Sequence, residues 1–178
     1  METKKDKAII ESLIFVSKNP ITIKDILKVL DKKEGEEEIK RIIDELIKDY
    51  SSNVHGIEIV EVAEGYQFRT KSFIADWIKE LKKVQPIKIS RAAIETLSII
   101  AYKQPIMKVE IDQIRGVDST HVIRFLLEKR LIKILGRKNL PGRPMVYGTT
   151  KEFLELFGFK DLKDLPPIEE IKDIIGNS

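Results

Sequence analysis

The chain has 178 residues, 42% hydrophobic and 34% charged, and no cysteine. That content fills two modest cores rather than one large catalytic domain with a deep cleft. The absence of thiols excludes a disulfide framework and a thiolate metal site. Lys and Arg number 32 against 29 Asp and Glu, a formal charge of +3, short of the excess by which a protein holds nucleic acid on charge alone. With no signal-peptide pattern and no apolar run long enough to span a bilayer, a cytoplasmic protein with no membrane partner is expected.

In the first half, Ile9, Leu13 and Val16 stripe an opening helix. Lys18-Asn-Pro-Ile21 ends it, and Thr22 with Asp25 forms a capping-box pattern ahead of Ile23, Ile26, Leu27 and Leu30. Ile39, Ile43, Leu46 and Tyr50 mark a third helix, entered through the acidic run Glu34, Glu36, Glu37 and Glu38. Ile57 to Val62 and Tyr66 to Thr70 read as a hairpin around Glu64-Gly65, and Phe73, Trp77, Ile78 and Leu81 stripe a helix leading to a short linker.

The second half repeats the plan. Lys103-Gln-Pro-Ile106 lies 85 positions after Lys18-Asn-Pro-Ile21, and the same offset superposes Ala8-Ile9 on Ala93-Ile94 and Ile26 on Ile111, the mark of a tandem duplication. Ser90 is a plausible N-cap for a helix striped by Ala93, Ile94, Leu97, Ile100 and Ala101. A short helix with Val109, Ile111 and Ile114 ends at Gly116, and Asp118 or Ser119 caps a third with Val122, Ile123, Leu126, Leu127 and Leu131, in the recognition position of a helix-turn-helix. Ile132 and Ile134 begin a strand, Met145 and Tyr147 return it, and Gly136, Pro141, Gly142 and Pro144 set the loop between them. Thr149 with Glu152 reads as another capping box, with Phe153, Leu154 and Phe157 on a closing helix stopped by Gly158.

Three helices followed by a hairpin, twice, define the expected fold: α+β, mostly α, with two tandem winged-helix domains. The boundaries are 1–83, a linker at 84–89, a second domain at 90–160 and an extended or weakly helical tail at 161–178, in which Ile168, Ile171, Ile174 and Ile175 make one weak helix or a frayed end.

Catalysis has no constellation to rest on. The histidines, His55 and His121, are isolated, and neither a phosphate-binding Gly-Lys loop nor a nucleophile elbow is present. No enzyme activity and no cofactor are expected. DNA binding is the obvious use of winged helices, but the first recognition-position helix opens on glutamates that repel phosphate. In the second, Ser119, Thr120, His121 and Arg124 have the reach for bases and Arg137, Lys138 and Arg143 for phosphates, diluted by Asp118 and Glu128. Four such contacts imply a log–log salt slope of roughly −3.6, whereas arginines bonded to loop carbonyls would only stiffen the wing. A dimeric DNA-binding transcription regulator is the competing reading.

The run Ser90-Arg-Ala-Ala-Ile-Glu-Thr-Leu-Ser-Ile-Ile-Ala-Tyr-Lys-Gln-Pro-Ile106, then Ile114-Arg-Gly-Val-Asp118, Gly136-Arg-Lys138, Pro141-Gly-Arg-Pro144 and Tyr147-Gly-Thr-Thr150, resembles the bacterial segregation and condensation protein B family. The match is dense from Ser90 to about Pro167, while the first domain resembles the family in plan and length. Met107-Lys108 stands where the family pattern leads one to expect Thr-Arg, which weakens the N-cap of the second helix there.

The resemblance implies a non-catalytic subunit of a condensin-like complex, with a kleisin subunit (segregation and condensation protein A) and, through it, a structural-maintenance-of-chromosomes ATPase as partners. It further implies a homodimer formed chiefly by the first domain, and chromosome condensation and segregation as the process served at the nucleoid. Direct DNA contact, if any, is expected to be weak. Tyr102, Arg137, Lys138, Arg143 and Tyr147 are the candidate kleisin-binding residues, chosen because a rigid loop and exposed aromatics coincide. Phe15, Tyr66 and Phe68 are candidates for the dimer face, each equally compatible with ordinary core.

Overall fold

The computed structural model describes residues 2–32, 35–82 and 89–167. The chain divides into two compact units, Met1–Gln85 and Pro86–Ser178. Most of the expected linker, and the isoleucines of the tail from Ile168 onward, lie outside the described residues.

The first unit runs α1 (Glu2–Val16), α2 (Ile23–Val29), α3 (Glu36–Tyr50), β1 (Ile57–Val62), β2 (Gly65–Thr70), a 3-10 turn (Ser72–Ile74) and α4 (Ala75–Lys82). Thr22 caps α2 as its sequence predicts: its hydroxyl accepts from the Asp25 N–H at 3.1 Å while the Thr22 N–H donates to the Asp25 carboxylate at 3.2 Å. The core gathers Ile10 and Ile14 of α1, Ile26 and Leu27 of α2, Ile39, Ile42, Ile43 and Leu46 of α3, and Ile59 and Tyr66 of the hairpin. The stripe on α1 is therefore one residue later than expected, and Val16 is exposed. From Ala8 to Val16 only Glu11 and Ser12 are polar, which puts apolar side chains on nearly every side, so periodicity cannot choose the phase.

The hairpin pairs Val62 with Gly65, which makes Ala63-Glu64, rather than Glu64-Gly65, the two-residue turn; both have positive φ (50° and 65°). Gly65 serves a different purpose. A Cβ there would meet the Ile21 carbonyl oxygen and the Pro20 carbonyl carbon at 2.9 Å. That approach is closed by two backbone hydrogen bonds, Ile21 N–H to Tyr66 and Tyr66 N–H to Ile21, both 2.9 Å. Lys71, buried at the end of β2, donates its ammonium to the carbonyls of Ser51 (3.1 Å) and Ser52 (2.6 Å), tying the hairpin to the C-terminal end of α3.

The second unit runs α5 (Arg91–Lys103), β3 (Ile106–Met107), α6 (Lys108–Arg115), α7 (Thr120–Glu128), β4 (Ile132–Arg137), β5 (Met145–Thr149), α8 (Lys151–Phe157) and a 3-10 turn (Leu162–Asp164). Ser90 caps α5, accepting from the Ala93 N–H at 3.2 Å. Gly116, at φ 71°, ends α6. Met107 occupies the N-cap of α6, and only half a capping box survives there: the Glu110 carboxylate accepts from the Met107 N–H at 2.8 Å, with no hydroxyl to return the bond. The sheet has three strands in the order β3-β5-β4, with Ile106 opposite Tyr147. β3, only two residues long, is beyond the reach of any alternation test. Ala93, Leu97, Ile100, Ile111, Ile123, Leu126 and Ile132 form the buried interior, whereas Ile94, Val109 and Ile114 are exposed.

Gln104, at the C-cap of α5, binds the third strand with its side chain. Its amide nitrogen donates to the Ala101 carbonyl (3.2 Å) and the Thr149 hydroxyl (3.1 Å), and its amide oxygen accepts from the Thr149 N–H (2.8 Å). Thr149 is thus already engaged, and it is Thr150 that caps α8, accepting from the Phe153 N–H at 3.2 Å; the capping residue is one later than expected.

Overpacking of a backbone contact costs typically 1–3 kcal/mol. Gly65→Ala is therefore expected to destabilise the first unit by about that amount in urea unfolding, while Gly136→Ala, whose Cβ meets nothing within 4 Å, changes stability by less than about 0.5 kcal/mol.

Candidate interaction surfaces

The five residues expected to bind a partner do not form one surface. Tyr147 is buried at 8% exposure, because β5 is the central strand and its ring faces the interior; its hydroxyl lies 3.9 Å from the Met145 sulfur. Tyr102 is half-buried on α5, and its hydroxyl donates to the Pro166 carbonyl at 2.5 Å, which holds the segment after α8 against the helix. Tyr102, Ile94 and Ser98 of α5, Phe157 and Phe159, and Leu165 line a shallow apolar hollow of about 140 Å³. The rings of Phe153, Phe157 and Phe159 lie 5.1 to 6.1 Å apart along its floor. A hollow of this size and lining takes one leucine- or phenyl-sized side chain. Sequence reasoning missed it because Phe159, Leu165 and Pro166 follow α8 in a segment with no period of its own.

Arg137, Lys138 and Arg143 belong to the wing instead. The Lys138 N–H donates to the Pro144 carbonyl (2.9 Å), the Arg143 N–H to the Leu140 carbonyl (2.8 Å), and the Arg137 guanidinium to the Arg143 carbonyl (3.1 Å). Arg143 and Gly142 both have positive φ, 43° and 79°. One arginine does stiffen the loop through a carbonyl, as the structural alternative anticipated, yet all three cationic side chains remain exposed. The Lys138 ammonium stands 3.9 Å from the Glu110 carboxylate.

On the first unit, Tyr66 is core at 6% exposure and is removed from the dimer candidates, because it sits at the bridge to Ile21 with its ring among the helices. Phe68 is half-buried between the rings of Tyr50 (5.0 Å) and Phe15 (6.2 Å). Phe15 is 69% exposed. The larger apolar surface lies along the stripe that leads to the linker: Phe73, Trp77 and Leu81 are exposed, Trp77 to 71% and Leu81 to 78%. In the second unit the helix at the same place, α8, buries Phe153 and Leu154.

The helix-turn-helix corner of the second unit is held by an ionic lock. The Lys108 ammonium lies 2.6 Å from Asp112 and 2.5 Å from Asp118, and the other Asp112 oxygen accepts from the Ser119 N–H at 2.8 Å. Lys108 and the hydroxyl and N–H of Thr120 hold the Asp118 carboxyl at about 2, below its ordinary 3.8. Burial works against ionisation of Asp112, but Lys108 and Ser119 outweigh it and its carboxyl is also lowered. Both aspartates raise Lys108 above 10.5. The lock's contribution to stability is therefore present above the ordinary carboxylate range and is lost as pH falls toward about 2; at the alkaline end it fades as Lys108 deprotonates above its ordinary value.

Among the described residues no group of three or more His, Cys, Asp and Glu is placed to hold a metal ion, and no helix is long and apolar enough to cross a membrane. A carboxyl titration followed by carbon NMR is expected to give Asp118 a midpoint near pH 2, rising toward 3.8 in Lys108→Met; an unmoved midpoint in that variant would show that the lock does not form.

The model of the family described as segregation and condensation complex subunit ScpB matches residues 8–168. Segregation and condensation protein B of Syntrophotalea carbinolica is 42% identical over 178 residues, covering all of this chain and 89% of that protein. The protein of the same name from Clostridium tetani is 42% identical over 165 residues, covering 92% of this chain and 86% of its own length. Among solved structures, the dimer of an ScpB N-terminal domain complexed with an ScpA peptide is 32% identical over 46% of this chain and 99% of its own, with a TM-score of 0.42. With one family pattern running through both winged-helix units and two fifths of all residues shared with full-length relatives, the chain belongs to the segregation and condensation complex subunit ScpB family.

Proposed function

We propose that this chain is a non-catalytic, homodimeric subunit of a chromosome segregation and condensation complex, binding the kleisin subunit ScpA and, through it, an SMC ATPase at the nucleoid in the cytoplasm. The observation that carries this reading is the family match from residue 8 to residue 168, which takes in both units rather than one generic winged helix. The first unit is the dimerisation domain and the second, residues 90–160 with the start of the tail, a kleisin-binding domain. The ATP chemistry belongs to the ATPase subunit.

The exposed face of α4 is the proposed centre of the dimer, with Phe15 at its margin. What supports it is the comparison within the chain: the helix at the same place in the second unit buries Phe153 and Leu154 and leaves Leu156 and Phe157 at 47% and 42% exposure, whereas Trp77 and Leu81 are 71% and 78% exposed. Each large apolar side chain buried at such an interface contributes roughly 1.5–3 kcal/mol. The hollow around Tyr102 is the proposed seat of an apolar side chain from a kleisin segment, in the manner of an amphipathic helix laid in a groove. Two such seats per dimer raise affinity by effective concentration, without exceptional contacts at either one.

Light scattering after size exclusion is expected to give a dimer for the parent chain, and a monomer at micromolar concentration for Trp77→Ser combined with Leu81→Ser. Mixing with the kleisin from the same organism is expected to give a larger stable complex; a chain that never joins the kleisin would overturn the proposal. In calorimetry, Ile94→Glu and Tyr102→Ala are each expected to weaken kleisin binding by roughly 10- to 100-fold, the equivalent of one lost anchor. Unchanged affinity in both would remove the hollow from the binding surface.

A further inference from the structure

The two units share a plan but carry opposite charge on the face that a winged helix offers to a ligand. In the first, the segment from α3 through β2 (Glu36 to Thr70) holds nine acidic and four basic residues, a net of −5. In the second, the equivalent segment from α7 through β5 (Thr120 to Thr149) holds seven basic residues and a single acid, Glu128, a net of +6. The whole chain carries only +3, so its modest total conceals a concentrated cationic surface.

Every one of those seven cations is exposed. Arg124 sits on the solvent face of α7 with Thr120, His121 and Glu128, at three- and four-residue spacing, while Ile123 and Leu126 face the core. Lys129 and Arg130 follow the helix, Lys133 lies on β4, and Arg137, Lys138 and Arg143 stand on the wing. Asp118, the acid nearest the start of α7, shares the Lys108 ammonium (2.5 Å) with Asp112 (2.6 Å), so that corner keeps one net negative charge against the seven cations. The loop hydrogen bonds from Lys138, Arg143 and Arg137 fix the wing so that its cations are presented without further ordering.

From this arrangement we infer that the α7 and wing face of the second unit is a binding surface for the phosphate backbone of duplex DNA, separate from the kleisin hollow and from the dimer face. Cations spread over a helix and a rigid hairpin suit a ligand that offers regularly spaced charges along two strands. Thr120 and His121 add short polar groups at the end of the helix that a helix-turn-helix directs toward a groove. Binding is sequence-tolerant, since most of the contacts are to phosphate. Leu135 and Leu140 are exposed on the same wing, which makes an acidic polypeptide the competing occupant.

The test is fluorescence anisotropy of a labelled 30-base-pair duplex of arbitrary sequence, titrated with the full chain at several KCl concentrations. Engagement of four to five phosphates gives a log–log slope of about −4, or roughly 250-fold weaker binding between about 50 and 200 mM KCl. Arg124→Glu, Lys129→Glu and Lys133→Glu together are expected to weaken binding at least about 10-fold and flatten the slope by about 2 to 3, with kleisin co-elution and the thermal melt retained. Lys40→Glu with Arg41→Glu, on α3 of the first unit, leaves DNA binding unchanged. Binding that is indifferent to salt, or to the triple reversal, overturns the inference, as does capture of poly-glutamate more tightly than duplex by the same residues.

Discussion

In each unit a helical layer and a hairpin are joined by one short backbone seam. The residue after the proline, Ile21 in the first unit and Ile106 in the second, lies opposite a tyrosine of the returning strand, Tyr66 or Tyr147. In the first unit the seam is a reciprocal pair of 2.9 Å bonds, and in the second it is extended by Met107 opposite Val146. This is why Lys-x-Pro-Ile occurs twice. Proline keeps the helix from resuming, and the next residue is delivered extended to an edge that needs a partner. The two tyrosines are buried for the same reason, since a residue at the seam faces the helices it ties down.

Close approach at the seam then constrains its neighbours. Gly65 admits the backbone of Pro20 and Ile21, and Gly148 admits the Gln104 amide and Leu135, each within 2.7 to 2.9 Å of where a Cβ would stand. Gln104 adds a side-chain clamp in the second unit, and Lys71 ties the end of the hairpin to the carbonyls of Ser51 and Ser52 in the first. With the scaffold secured in this way, the solvent positions are free to diverge. One copy buries Phe153 and Leu154 of the helix after its hairpin and is basic along α7 and the wing, while the other leaves Trp77 and Leu81 of that helix exposed and is acidic along α3. Duplication of a scaffold followed by divergence of its surface accounts for two units with different exposed faces in one chain.

The elements visible in the sequence are those whose chemistry is local. The Thr22–Asp25 box, the Ser90 cap, the Gly116 and Gly158 stops and the stripe of α3 each depend on residues within one or two turns, and each forms. The misreadings have long-range causes. Thr149 and Thr150 are both chemically fit to cap α8, and only the pull of Gln104, 45 residues earlier, assigns the second. Ala63 and Glu64 adopt positive φ in place of a glycine because Gly65 is committed to the approach of Pro20. Of the candidate site, Phe15, Arg137, Lys138 and Arg143 are exposed as expected, Tyr66 and Tyr147 are not, and Tyr102 stands at a hollow completed by residues after α8.

The sequence by itself determined the repeat, the helix order, the two wings and the family, because these are written in spacing, caps and turn residues that act over short distances. Which aromatics face inward, where an apolar hollow opens and which apolar helix goes uncovered were decided only by tertiary structure. An apolar side chain has the same periodicity whether or not another element arrives to cover it, and that arrival is set by packing across the whole unit.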